Sequence, residues 1–315
     1  MPRLTQLRLP LALLSLLLVA VLVQPAAAVR PSRKVFVPLV DQAHPCAPTG
    51  QSYNLIPVDG APTLDRPVDV HPDFNLAIRS WVTNTDLSLR GLVNYNGGFD
   101  ANAPQLYGLF ANGRTPGFTS THRVYDWDWT NDRRGGLISQ WPVTLLGMGT
   151  TPGETLHLPG RGPDIYQGVY HALVLYASDV RITWTYTRYG FITTPSGGYG
   201  VHVENVCVDP NLVALYNQAN AAGRGNLPAL RGGQAFGRAR SGEILAAIRD
   251  TGSFMDPRSR KDWWQGRAAQ DGESAGESGG QPRPAAPTPL PSEPRSTGPS
   301  ITPTPTPLPP LASPP

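Results

Sequence analysis

Between residues 180 and 188 the chain alternates strictly: Val180, Ile182, Trp184 and Tyr186 are apolar, while Arg181, Thr183, Thr185 and Thr187 are polar. A period of two is the pattern of a β-strand with one buried and one polar face. An apolar run at 173–176 precedes it and a β-rich run at 200–207 follows. Pro195 to Gly198 supply the intervening turn residues, so these segments predict an antiparallel sheet. Upstream, 74–82, 89–94, 105–110, 123–129 and 142–148 read as further short strands between Gly, Asn and Asp turns. With 33 Gly and 35 Pro among 315 residues, helix breakers are too frequent for a helical bundle. One helix is expected near 210–222: Asp209 suits the N-cap, Pro210 the first turn, and Leu212, Leu215, Tyr216 and Ala219 form the apolar stripe, with Gly223 as the stop. The expected fold class is mainly β, with antiparallel sheets in a sandwich or barrel-like arrangement and one short helix.

The two ends read differently from the middle. Arg3 and Arg8 precede an apolar stretch at 9–23, and Ala26, Ala27 and Ala28 follow it, which is the layout of an export signal over 1–28. The apolar stretch is about five residues short of the roughly 20 that span a bilayer, so a secreted, extracellular or cell-surface protein without a lasting membrane span is expected. Fourteen of the prolines lie from 281 onward, interleaved with Thr, Ser and Ala, and a Pro/Thr-rich tail over 268–315 is expected to be disordered and extended. Between the ends we expect an N-terminal β-rich region at 29–165 and a β core at 166–267. The net charge of +3 falls to about +1 without Arg3 and Arg8, and the cations form no cluster, which excludes nucleic acid as the partner. In an oxidising compartment Cys46 and Cys207, the only two cysteines, are expected to form a disulfide.

Three groups of residues invite a chemical reading, each beside a plainer one. Asp250-Thr251-Gly252-Ser253 matches the catalytic loop of aspartic proteases, but that chemistry needs two such aspartates and the chain has one copy, so a tight turn is the expected role. His202 and Glu204 lie two apart on a predicted strand and share a face, which could begin a zinc site or merely be solvent-facing polar positions. Tyr125-Asp126-Trp127-Asp128-Trp129 sets Trp127 and Trp129 on one strand face and Asp126 and Asp128 on the other. Such residues can stack on sugar rings and accept hydroxyl hydrogens, or the indoles can belong to the core. No cofactor is expected.

Residues 176–257 resemble the core of the lysostaphin-type zinc endopeptidases, which cut peptidoglycan cross-bridges. The resemblance is carried, in order, by Tyr176-Ala177-Ser178 leading into Arg181-Ile182-Thr183, by Gly198-Tyr199-Gly200-Val201-His202-Val203, by Leu215-Tyr216, by Gly233-Gln234-Ala235-Phe236-Gly237, and by Ile248-Arg249 followed by Gly252 and Asp256-Pro257. The family's His-x-His pair falls on Glu243 and Leu245, its Leu-Tyr-Ala-His histidine on Gln218, and its first-ligand pattern is at best His71 with Asn75. Leucine cannot bind zinc, so the resemblance implies a relative without the metal and its activated water. The expected function is a secreted, non-catalytic, cell-envelope β domain that binds or scaffolds, with cell-wall glycan or peptide as partner. The alternative is a zinc-dependent peptidoglycan endopeptidase with atypical ligands.

Overall fold

The computed structural model describes residues 46–60, 64–160, 163–192 and 198–265. The expected export signal and tail lie outside the described residues. Among these, the strands are β1 (Asn54–Pro57), β2 (Trp81–Thr83), β3 (Phe118–Asp128), β4 (Arg133–Leu137), β5 (Leu145–Gly149), β6 (Thr155–His157), β7 (Tyr170–Ser178), β8 (Arg181–Thr185), β9 (Tyr199–Glu204), β10 (Val206–Val208), β11 (Asn226–Arg231), β12 (Ala235–Ala239), β13 (Glu243–Asp250) and β14 (Ser253–Phe254). The α-helices are α1 (Leu76–Arg79), α2 (Pro210–Ala221) and α3 (Arg260–Trp263), and short 3-10 turns include Leu106–Leu109.

An eleven-stranded sheet runs in the order β1-β11-β7-β8-β9-β13-β5-β3-β2, with β14 beside β13 and β4 beside β3. A second sheet holds β10-β12-β6. The ladders of both sheets are antiparallel, so the mainly β, antiparallel expectation holds. The large sheet takes β1, β2, β3, β4 and β5 from before residue 165 and the rest from after it. β5 pairs with β13 and β1 with β11, so the boundary expected there separates no independent sheets.

The two faces of this sheet differ in what they bury. On β8, β9 and β13 one face is apolar: Ile182 and Trp184, Val201 and Val203, and Ile244, Ala246 and Ile248 all join the main core. Helix α2 packs there through Leu212, Tyr216 and Ala219. Its N-cap is the expected one, since the Asp209 carboxylate accepts the Asn211 N–H at 2.9 Å, and such a cap contributes about 1 kcal/mol. Beyond the helix Gly223 takes φ 89°. The disulfide Cys46–Cys207 forms, joining residues 161 apart, and Thr49 donates from both its N–H and its hydroxyl to Asp209.

The opposite face holds Thr183 and Thr185 on β8, His202 and Glu204 on β9, and Arg249 on β13. The sequence reads Thr183 and Thr185 as a polar face and His202 and Glu204 as either the start of a zinc site or solvent-facing, but all five residues are buried. The reason is a roof formed by residues 68–79. Thr183 donates its hydroxyl to the Phe74 carbonyl at 2.7 Å, and Leu76 of α1 joins Leu145, Val124, Leu245, Ala247 and Phe254 in a small apolar cluster. The roof is itself a departure from expectation. Segment 74–82 is not one strand: Asn75 caps α1 by accepting the Ala77 N–H at 3.2 Å, and Ser80 turns at φ 60° before β2 begins. Likewise 105–110 is a 3-10 turn and 89–94 contains no strand, while β3 begins earlier than expected, at Phe118.

Candidate functional site

The roof stops short of one end of the sheet and leaves a cleft of about 650 Å³. Its floor is an ion network. Asp73, from the roof, accepts from Arg79 Nη2 at 2.8 Å and from Arg249 Nη1 at 2.7 Å through the same oxygen, Oδ1. Both arginine side chains are only 3% exposed. Burial works against an ionised Asp73, but the flanking Arg249 and Arg79 outweigh it and hold the carboxyl well below the usual carboxylate range. Arg79 is pushed down from the ordinary arginine value by burial first and by the neighbouring Arg249 charge second.

Local structure fixes both cations. Arg249 is the penultimate residue of β13, just before the turn into β14, where Asp250 pairs with Ser253 and both central residues, Thr251 (φ 46°) and Gly252 (φ 85°), have positive φ. That is the backbone of a two-residue hairpin, so the Asp-Thr-Gly-Ser segment is a turn, as expected from its single copy. Arg249 Nε and Nη2 donate to the Gly252 carbonyl at 2.8 and 2.5 Å, and its guanidinium lies over the Phe254 ring at 4.9 Å. Arg79 ends α1, donates from Nε to the Pro72 carbonyl at 2.9 Å, and covers the same ring at 5.5 Å.

The walls carry the other polar groups. His71 Nδ1 accepts the Asp73 N–H at 3.1 Å, which leaves its proton on Nε2, 3.8 Å from Asp65. Burial lowers the His71 pKa from the ordinary value, so it is neutral at pH 7. Trp129 stands at the rim, 48% exposed, with Arg66 over its ring at 5.6 Å and His71 at 5.8 Å. Asp126 reaches the same cleft, its side chain 71% exposed and 3.3 Å from Arg79 Nη1.

The sequence-predicted residues divide here. Strand alternation would put Trp129 and Asp126 on opposite faces, yet both line the cleft, because β3 ends at Asp128 and the chain turns before Trp129. Trp127 is half-buried and does not line it. Asp128 is taken up by the turn into β4, accepting from Asn131 and Arg133. His202 and Glu204 share a face as expected but sit under the roof, outside the cleft wall. His202 Nδ1 bonds Thr183 at 2.9 Å, and Nε2 has no partner. Burial and then Arg249 keep its pKa well below the ordinary value. Glu204 pairs with Arg181 at 2.9 Å, and burial raises its pKa despite that partner.

The positions where zinc ligands would fall do not fit a metal. Leu245 belongs to the small apolar cluster, Gln218 is exposed on α2, Glu243 accepts from Thr119 and Ser120, and Asn75 is a helix cap. Among the described residues no three His, Cys, Asp or Glu side chains group closely enough to hold an ion. Nor, among them, is any helix long and apolar enough to cross a membrane. Sequence reasoning did not single out Asp73, Arg79 or Phe254. The available signal was Arg249 itself, a cation closing the apolar run 244–248. No family model, curated protein or solved structure matches this chain.

Proposed function

We propose that this protein works outside the cell, at the cell envelope, as a binding domain whose cleft takes a glycan. The observation that carries the reading is the exposed Trp129 indole, held in place by Arg66 and His71, beside the solvent-facing Asp126 carboxylate in a 650 Å³ cleft. An indole face stacks on the apolar face of a sugar ring, and a carboxylate accepts hydrogen bonds from its hydroxyls. Concave sites of this size, with a few fixed polar groups, are the usual form of small-ligand sites. The signal-like leader and the Cys46–Cys207 disulfide support an oxidising location. The apolar surroundings of Leu245 favour binding over zinc-dependent cleavage.

The test is sedimentation of the full chain with isolated cell-wall polysaccharide, alongside Trp129→Ala. The expected result is co-sedimentation of the parent chain and loss of at least tenfold in affinity for the variant. Equal retention of both proteins would overturn the assignment of the cleft, and retention of neither would overturn the glycan reading.

A further inference from the structure

We propose that the ligand of this cleft carries a single carboxylate, held over the Arg79–Arg249 pair; this rests on the binding role argued above and adds to it the acidic group. The floor contains two buried guanidinium groups and one buried carboxylate, Asp73. The sum of these charges is +2 − 1 = +1. Two further carboxylates line the cleft but do not cancel the excess: Asp65 is exposed and paired with Arg66 at 2.7 Å, and Asp126 is 71% exposed and 3.3 Å from Arg79, where water screens much of the attraction. Two buried cations share one buried counter-ion, Asp73, which leaves the pair under-compensated, so an anion arriving from the ligand side relieves a tension already built into the floor.

The donors to receive it are present. A guanidinium offers five N–H groups. Arg79 spends one each on Pro72, Asp126 and Asp73. Arg249 bonds Asp73 once and the Gly252 carbonyl twice. Both therefore keep N–H groups for a further acceptor, and the planar fork matches a carboxylate in geometry. The fork is also rigidly placed, since Phe254 lies beneath both arginines and Gly252 fixes one of them.

The surroundings select the kind of anion. A dianion such as a phosphate monoester would need more positive charge than the single excess of the Arg79–Arg249–Asp73 floor supplies. One carboxylate neutralises that excess, and hydroxyls on the same molecule donate to Asp126 while a ring stacks on Trp129. An acidic sugar has all three groups.

The experiment is saturation-transfer NMR with competition titration on the full chain, using two matched pairs as methyl glycosides. These are glucuronic acid with glucose, and N-acetylmuramic acid with N-acetylglucosamine. The methyl ester of each acid is a third arm, which removes the charge without altering the protein. The acid in each pair is expected to bind at least tenfold more tightly than its neutral partner, with the gain lost in the ester. Arg79→Lys, which keeps the charge but not the fork, is expected to shrink the ratio of acid to neutral-sugar affinity within each pair, and an unchanged ratio would overturn the carboxylate inference. Equal binding of acid, ester and neutral sugar would overturn the carboxylate inference and leave the glycan reading standing. Absence of binding by every sugar would remove both.

Discussion

The two faces of the large sheet use the same strands for opposite purposes. On β13, Ile244, Ala246 and Ile248 face a continuous apolar core, while Leu245 and Ala247 face a small apolar cluster and Arg249 an ion network. The apolar face is close-packed through Trp184, Phe236 and Tyr216, all fully buried. The other face buries Thr183, His202 and Arg249 beneath a thin roof and remains open at one end. The contrast teaches that hydrophobic burial supplies the stability on one side, which leaves the other free to hold charged groups in fixed positions that hydrophobic burial alone would not favour.

The largest effect that sharpens this contrast is expected on the apolar face. Trp184→Ala should cost about 3–5 kcal/mol in urea unfolding, as other buried Trp truncations do. A loss under 1 kcal/mol would mean that the apolar face is not the main source of stability. On the polar face Arg249→Ala leaves Asp73 with one cation and frees the Gly252 carbonyl. We expect a loss of about 3 kcal/mol by the same measurement, together with loss of ligand binding. A variant of parental stability would break the idea that the network holds the roof down.

A smaller effect should appear with pH. Because burial, and secondarily Arg249, lowers the folded-state pKa of His202, its folded form stays neutral while the unfolded chain takes up a proton below about pH 6.5. The neutral-His contribution is therefore complete above that pH and declines as pH falls through 6.5 toward the folded value. His71, His122 and His157 shift the same way, each chiefly through burial. Asp73 behaves differently: its depressed pKa supplies stability above about pH 3.9 that is lost only in stronger acid. Urea midpoints measured at pH 7.5 and 5.0 should thus fall on acidification, with a shallower fall in His202→Asn. Identical slopes would show that His202 titrates normally. The smallest effect concerns Trp129→Ala, which should change stability by no more than about 0.5 kcal/mol, since the residue is an exposed one. A larger loss would make the indole structural.

Much of the apolar face was legible in advance, because period-two alternation and a capped amphipathic helix are local signals. β8 and α2 lie where Ile182, Trp184 and the Asp209-Pro210 start predict them. The polar face was not, because its burial depends on a segment about a hundred residues upstream. Thr183 reads as solvent-facing until the Phe74 carbonyl is placed over it. Nothing local announces that Asp73 will meet Arg249 across 176 residues. Asp126 and Trp129 were identifiable as residues but not as neighbours, since only the end of β3 brings them together. The 74–82 segment misled because its apolar residues suit a strand, while the Asn75 cap and the positive φ of Ser80 break it into a helical turn and a short strand.

The most direct test of the central claim is hydrogen exchange of the full chain, with and without the saccharide that it binds most tightly. The account predicts added protection in the roof and Arg249–Phe254 hairpin segments, 71–79 and 249–254, with little change in α2. Protection confined to α2 or to the β1 edge, with the roof and hairpin unchanged, would place the ligand elsewhere and contradict the account.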